Sequence, residues 1–319
     1  MLTRTFLHLP GSGPQRERGL WDAGVLCWDD CLARIPRDLF DESPAEAFEA
    51  MLCESRERLR AGDAHWFEER LGAEAWRLAP DFDDGRIVYL DIETDGSPGD
   101  TIPEDEEAPG GTTVVGAWDG REARVFLRGP GLDELPEYLN RYRVLCTFNG
   151  RSFDMPYLEK RFGKGFFAGA HLDLRPITRV VGLTGGLKKI EAQIGVKRPP
   201  PIDRFTGYDA VKLWRLFKQR QRTDALDGLA RYNLADAVNL QAVLRAAYNA
   251  YIAQQKLPLR ALRGTSDRAY AGRRGPGGEG VAGAAGVASG AYQRPCTGAL
   301  NSSCISLKRA LSGPKRSLA

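Results

Sequence analysis

The run Ile87-Val88-Tyr89-Leu90-Asp91-Ile92-Glu93-Thr94-Asp95-Gly96 alternates with the period of a β-strand: Val88, Leu90 and Ile92 on one side, Tyr89, Asp91 and Glu93 on the other. Two carboxylates two residues apart on one strand project from the same face. They repel, and each raises the other's proton affinity unless a positive charge sits between them. A hard divalent cation with oxygen ligands is the usual reason for such a pair. The question for the rest of the chain is whether it supplies further carboxylates.

Two other places do. Val144 to Phe148 is a short apolar run, read as a buried strand ending at Asn149-Gly150. Arg151-Ser152-Phe153-Asp154-Met155-Pro156 follows, with Ser152 as a helix N-cap and a helix from Phe153 to Phe162, so that Asp154 sits at the positive end of a helix just past a strand. Farther on, Asp224 to Tyr232 and Leu234 to Leu257 read as two helices broken near Asn233. Tyr232 and Asp236 are four apart and share a helix face, flanked by Leu229, Leu240, Val243 and Leu244. Asp91, Glu93, Asp154 and Asp236 thus fall at strand ends and on a late helix, where an open α/β sheet gathers chemistry. The task that suits them is holding two Mg2+ or Mn2+ ions that activate water for attack on phosphorus.

The remaining elements are expected as follows. A hairpin is predicted from Thr112 to Trp118 and Glu122 to Leu127, turning at Asp119-Gly120. A helix is predicted over Leu132 to Asn140, a strand at His171 to Leu174, and helices over Leu187 to Ile194 and Ala210 to Lys218. Ser43-Pro44 opens helices at Ala45 to Arg60 and Ala64 to Leu71, with Phe48, Met51, Leu52 and Leu59 as an apolar stripe. His171 and Asp173 are read as structural. Phe153, Tyr157, Phe166 and Phe167 are either base-stacking platforms or core, with core favoured for Phe153.

The N-terminus has a Gly-rich turn, Leu9-Pro10-Gly11-Ser12-Gly13-Pro14, a short helix, and a second turn at Gly24. It resembles a helix-hairpin-helix element, in which Gly11 and Gly13 would let backbone N–H groups approach a phosphate. The competing reading is a small helical packing module. Ser97 to Gly111, with Glu104-Asp105-Glu106-Glu107, reads as a solvated acidic loop rather than a site.

Charge is uneven along the 319 residues. Lys256 to Ala319 carries 11 Lys or Arg against two acids, whereas the residues before it hold 34 basic against 40 acidic. A mildly acidic body therefore carries a basic, Gly-rich tail, expected to be disordered over 261–319. The six cysteines are scattered and fit no zinc spacing, no signal-like apolar core opens the chain, and no run of about 18 apolar residues exists. The expectation is a cytoplasmic protein with reduced thiols and no membrane span.

Three motifs resemble those of the DnaQ-like 3′–5′ exonucleases of the ribonuclease H superfamily: Leu90-Asp91-Ile92-Glu93-Thr94, Asn149-Gly150-x-x-Phe153-Asp154-x-Pro156-x-Leu158, and Tyr232-Asn233-x-x-Asp236. Phe6 to Gly13, Trp76-Arg77-Leu78 and Leu187-Lys188-x-Ile190-Glu191 are similar to the YprB-type ribonuclease H-like proteins. The resemblance implies an α/β fold of ribonuclease H type, a central mixed sheet flanked by helices, over 81–260. A small helical segment over 1–80 precedes it. It also implies roles: Asp91 bridges two metals, Glu93 and Asp236 complete the water-activating site, Asp154 holds the second metal partly through water, and Tyr232 orients the water. Arg231 stands where a histidine subtype would have its histidine, so the tyrosine form is implied. Thr94 would contact the terminal nucleotide of a single-stranded DNA or RNA 3′ end, and Asn149 would either fix the turn or contact that nucleotide. A non-catalytic nucleic-acid-binding module and an endonuclease remain as alternatives, because fold alone does not choose a chemistry.

Overall fold

The alternation around Asp91 is matched by two different packing partners, one on each face of a five-stranded sheet. The structure is a computed structural model that describes residues 2–33, 45–96 and 111–263. The acidic stretch 97–110, the Ser43-Pro44 start signal and the tail from 264 lie outside the described residues. Strand β1 (Ile87–Thr94) is central. It pairs antiparallel with β2 (Thr112–Trp118), which pairs antiparallel with β3 (Ala123–Leu127). On its other edge β1 runs parallel to β4 (Val144–Thr147), and β4 runs parallel to β5 (Ala170–Asp173), giving the order β3-β2-β1-β4-β5. The hairpin and the strand at His171 form as expected, and the sheet is mixed and flanked by helices.

Before the sheet come α1 (Pro14–Asp22), α2 (Trp28–Ala33), α3 (Ala45–Ala61), α4 (Ala64–Leu71) and the short α5 (Ala79–Phe82). After β3 follow α6 (Pro130–Asp133) and α7 (Leu135–Leu139); α8 (Asp154–Phe162) links β4 to β5, and α9 (Leu174–Val180), α10 (Leu187–Gln193), α11 (Gly207–Arg220) and α12 (Thr223–Gln254) close the fold. Val88, Leu90 and Ile92 bury against Leu132, Leu135, Leu139 and Leu158 of α6 to α8. Ile87 and Tyr89 bury on the opposite face, in a core that also holds Leu234, Val238 and Leu244 of α12 and Phe6, Trp28, Phe67 and Phe82 of the N-terminal segment. Residue parity therefore turns Asp91 and Glu93 toward the face that α12 covers.

Two features bring α12 to that face. Gly116 lies opposite Asp91 in the β1–β2 register. A Cβ there would stand 2.6 Å from Asn233 Oδ1 and 3.2 Å from Leu234 Cα, so only glycine admits the helix this closely. Asn233 itself does not break the helix: α12 is continuous from Thr223 to Gln254, and the predicted division there is corrected. An asparagine favours a break when its side chain competes for its own backbone. Here that side chain is fully buried, and its Nδ2 donates to the Asp91 carbonyl at 3.0 Å and to Asp91 Oδ2 at 2.8 Å.

Two smaller expectations are also corrected. Leu132 to Asn140 is two short helices, with Pro130 in the first turn of α6 and Pro136 in that of α7; a proline N–H is missing where a continuous helix would need one. Helix α8 starts at Asp154 with Phe153 in the cap position and no side-chain cap, so Ser152 does not serve.

The N-terminal segment shares its core with the sheet and is fastened by a buried ion pair. Arg77 Nη1 donates to both carboxylate oxygens of Glu17, at 2.9 and 2.8 Å, and to Thr5 Oγ1 at 2.8 Å. Arg77 Nε reaches Glu74, which also accepts from the Tyr251 hydroxyl of α12 at 3.0 Å. Arg4 and Arg18 donate to the carbonyls of Pro258 and Gln255 just beyond α12.

Candidate metal centre

Strands β1 and β4 stay paired only from Ile87 to Tyr89. Past that point they part, and a cleft of about 820 Å³ opens at their carboxyl ends. This is the position at which open sheets with a change of strand direction bind ligands. Asp91, Glu93, Thr94, Asn149, Phe153, Asp154, Tyr232 and Asp236 all line it.

Each acid arrives for a local reason. Asp91 and Glu93 come by strand parity. Asp236 comes by the close seat of α12. Asp154 sits at the start of α8, where its carboxylate accepts from its own backbone N–H and from that of Ile92 on the edge of β1 that β4 has left. The turn carrying it is held by Asp173, whose Oδ1 accepts from Asn149 N at 2.7 Å and from Arg175 N at 3.0 Å, and whose Oδ2 accepts from Arg151 N at 3.1 Å. Asn149 takes a left-handed φ of 66° in that turn. Gly150 follows because a Cβ would stand 2.0 Å from Thr147 Oγ1.

Asp91, Glu93 and Asp236 each place a carboxylate oxygen within 4.8 Å of the others. Asp154 is outside that trio and faces the same space. Burial, followed by the negative charges of Asp236 and Asp154, pushes the Asp91 and Glu93 carboxyls well above the usual range. Burial raises Asp154 to about 7, its two backbone hydrogen bonds acting against the rise. Burial raises Asp236 too, opposed by Arg198. Four acids, Asp154 and Asp236 buried and Asp91 and Glu93 half-buried, form a site for added positive charge. The donor set is carboxylate oxygen throughout, which fits a hard divalent cation of the magnesium or manganese class.

One positive charge is built in, and sequence reasoning did not single it out. The Arg198 side chain, 4% exposed, forks onto Glu191, Nε to Oε2 and Nη2 to Oε1 at 2.6 Å each. Its Nη2 also donates to Asp236 Oδ1. Asn239, one turn along α12 from Asp236, donates to Glu191 Oε1 at 3.1 Å. The network ties α10 to α12 through Asp236. Only Glu191 had drawn notice, in the Leu187-Lys188-x-Ile190-Glu191 stretch; Arg198 lies in a loop with no motif around it.

Tyr232 is nearly buried, with Lys188 Nζ 5.0 Å and the Arg198 guanidinium 5.6 Å from its ring centre. Burial, then Asp236 and Glu93, raises its hydroxyl above the ordinary tyrosine value, so it stays protonated near neutrality. Lys188 also donates to the Phe205 carbonyl, closing the side of the cleft formed by 203–207.

Phe153 is 40% exposed and lines the cleft, so it is not core. Tyr157, 5.1 Å from it ring to ring, and Phe166 and Phe167 pack on the α6–α8 core. His171 is buried with Nε2 2.9 Å from Thr147 Oγ1. Gly11 and Gly13 do not line the cleft: Gly11 accepts from Arg16 Nη1 at 2.7 Å, and Gly13 precedes α1. Among the described residues no helix is long and apolar enough to cross a membrane.

The family model described as the RNase H superfamily matches residues 88–248, which run from β1 into α12 and include all four acids. No curated protein is similar enough to count as a match. The superfamily suggests a metal-dependent nuclease with a nucleic-acid substrate, in keeping with the acidic cluster. On a match covering half its length, this chain belongs to the RNase H superfamily.

Proposed function

We propose that the chain is a divalent-metal-dependent 3′–5′ exonuclease acting on single-stranded DNA or RNA. The observation that carries this reading is the trio of carboxylate oxygens, from one strand and one helix, within 4.8 Å of one another beside Tyr232. Asp91, Glu93 and Asp236 would hold Mg2+ or Mn2+, with Asp154 available to a second ion. Bound there, such ions supply charge stabilisation at a phosphoryl oxygen and a more acidic water.

The chain's own groups do the rest. The Tyr232 hydroxyl keeps its proton, so it orients a water by hydrogen bonding and does not act as the base. Asn233 fixes the rotamer of Asp91 through Oδ2. Arg198 fixes that of Asp236 through Oδ1, leaving its second oxygen free to serve as a ligand. Thr94, Asn149 and the exposed ring of Phe153 line the part of the cleft that a terminal nucleotide would fill, with Phe153 as a stacking face. The 3′–5′ polarity rests on the likeness of the three motifs and on the tyrosine at 232.

The test is incubation of the purified chain with matched 3′-labelled and 5′-labelled DNA and RNA strands, with manganese and with chelator. Stepwise shortening from the 3′ end in manganese alone is expected, with loss of at least a hundredfold in rate for Asp91→Asn. Full activity in that variant, or cutting of circular strands, would overturn the reading.

A further inference from the structure

Beside the acidic cleft lies a second cavity, of about 490 Å³. The two share Phe148, Asn149 and Gly186 in their linings, so they lie side by side. The charge inverts between them. The first is lined by five acids, Asp91, Glu93, Asp154, Asp203 and Asp236, against the three cations Lys188, Lys189 and Arg204; the second has Arg175 and Arg179 and, among the described residues, no acid. We propose that this second cavity is the channel for the sugar-phosphate backbone of single-stranded nucleic acid, with Arg175 and Arg179 taking phosphates that neighbour the one bound in the acidic cleft. The inference rests on the nuclease reading and extends it from the cut to the path of the strand.

Arg175 and Arg179 are four apart on α9, so their stems leave one face of the helix. Like charges at that spacing disfavour each other until an anion comes between them. Arg175 is half-buried and aimed: its Nη1 donates to Asn149 Oδ1 at the lip shared by both cavities. Arg179 is exposed and has no ion-pair partner among the described residues. Thr184, Gly185 and Gly186 also line the cavity. Gly185 has a φ of +117°, which excludes other residues without strain, and a Cβ on Gly186 would meet nothing within 4 Å. At Gly186, backbone without a side chain lets a ribose-phosphate approach closely. The stem of Lys189 folds over Gly185, and the same lysine lines the acidic cleft, so cations line both cavities.

The experiment is fluorescence anisotropy of a labelled 12-nucleotide oligo-dT strand on the full chain carrying Asp91→Asn, which is not expected to cut it, over a range of salt. Affinity should fall linearly on a log–log plot against salt. Adding Arg179→Glu, at an exposed position where folding is not at issue, should weaken binding roughly tenfold and flatten the salt slope by about one. Adding Gly186→Trp, at an ordinary φ of −77° with open space ahead, should weaken binding by obstruction while changing the slope less. Unchanged affinity and slope in Arg179→Glu would overturn the proposal, as would a strand that does not bind, or one that binds only when the basic tail is present. The strand-polarity assay is read separately. A chain that binds in this way yet never cuts keeps the channel and loses the nuclease; one that cuts while Arg179→Glu binds normally does the reverse.

Discussion

Arg198 sets the resting electrostatics of the cleft. It is buried, pairs with Glu191 and Asp236 at once, and its Nη1 has no hydrogen-bond partner among the described residues. Truncating it would strand two buried carboxylates. Arg198→Ala is therefore expected to cost about 3–5 kcal/mol in denaturant unfolding. Arg198→Lys should cost less, because the charge survives while the fork is lost, yet it should lower kcat by loosening Asp236. Asp91 should behave in the opposite sense. Its carboxylate is held among other acids at a cost, so in chelator Asp91→Asn should be more stable than the wild type by about 1–2 kcal/mol. Magnesium should raise the wild-type melting temperature and leave the variant's nearly where it was. At this scale the sequence was informative wherever a local period applied: parity for Asp91 and Glu93, a four-residue step for Tyr232 and Asp236. It was silent on Arg198, whose partners lie 7 and 38 residues away across an irregular loop.

Helix α12 is the element that turns scattered acids into a centre. Its seat depends on Gly116, whose missing Cβ leaves room for Asn233. Gly116→Ala should cost about 1–3 kcal/mol through overpacking. It should also lower kcat more than stability alone explains, since the shift falls between Asp91 and Asp236; unfolding and steady-state assays on the same preparation check both. The existence of the elements was readable from apolar period, and the sheet from the alternation at Ile87 to Thr94, the hairpin from Thr112 to Leu127 and the apolar run Val144 to Phe148. Their boundaries failed where a polar residue had a distant partner. Asn233 looks like a breaker until Asp91 is brought against it, and Ser152 looks like a cap until Asp173 takes over the turn. No single-chain period encodes either contact. Phe153 failed for a related reason: an aromatic residue next to an apolar strand reads as core, and only the parting of β1 and β4 shows the opening it faces.

Across the whole molecule, the N-terminal segment and the sheet share one core, and His8 makes that core sensitive to acid. Burial, with Arg70 adding, lowers its pKa to about 3, and the ring lies among Trp28, Trp66 and Phe67. The folded state thus requires neutral imidazole, while the unfolded chain takes up a proton below the ordinary value of 6.5. Its contribution is complete above that pH and is lost as pH falls from there toward about 3. The stability gap between wild type and His8→Phe should therefore shift against the wild type by roughly 2 kcal/mol between pH 7.5 and pH 5, a comparison in which the shared acidic cluster cancels. The helical N-terminus was legible as such. That Glu17 would meet Arg77, and that Arg4 and Arg18 would meet the far end of α12, was not, because the pairings span 60, 254 and 237 residues. Those spans have a consequence for the order of events in synthesis. The carbonyls of Pro258 and Gln255, which hold Arg4 and Arg18, are made 254 and 237 residues after those arginines. At about 5–20 residues per second, that leaves the opening segment without its final partners for roughly 13–50 seconds. Residues 2–33 are thus locked long after they are made, and Phe6, Trp21 and Trp28 are the apolar surface a chaperone would meet in the meantime.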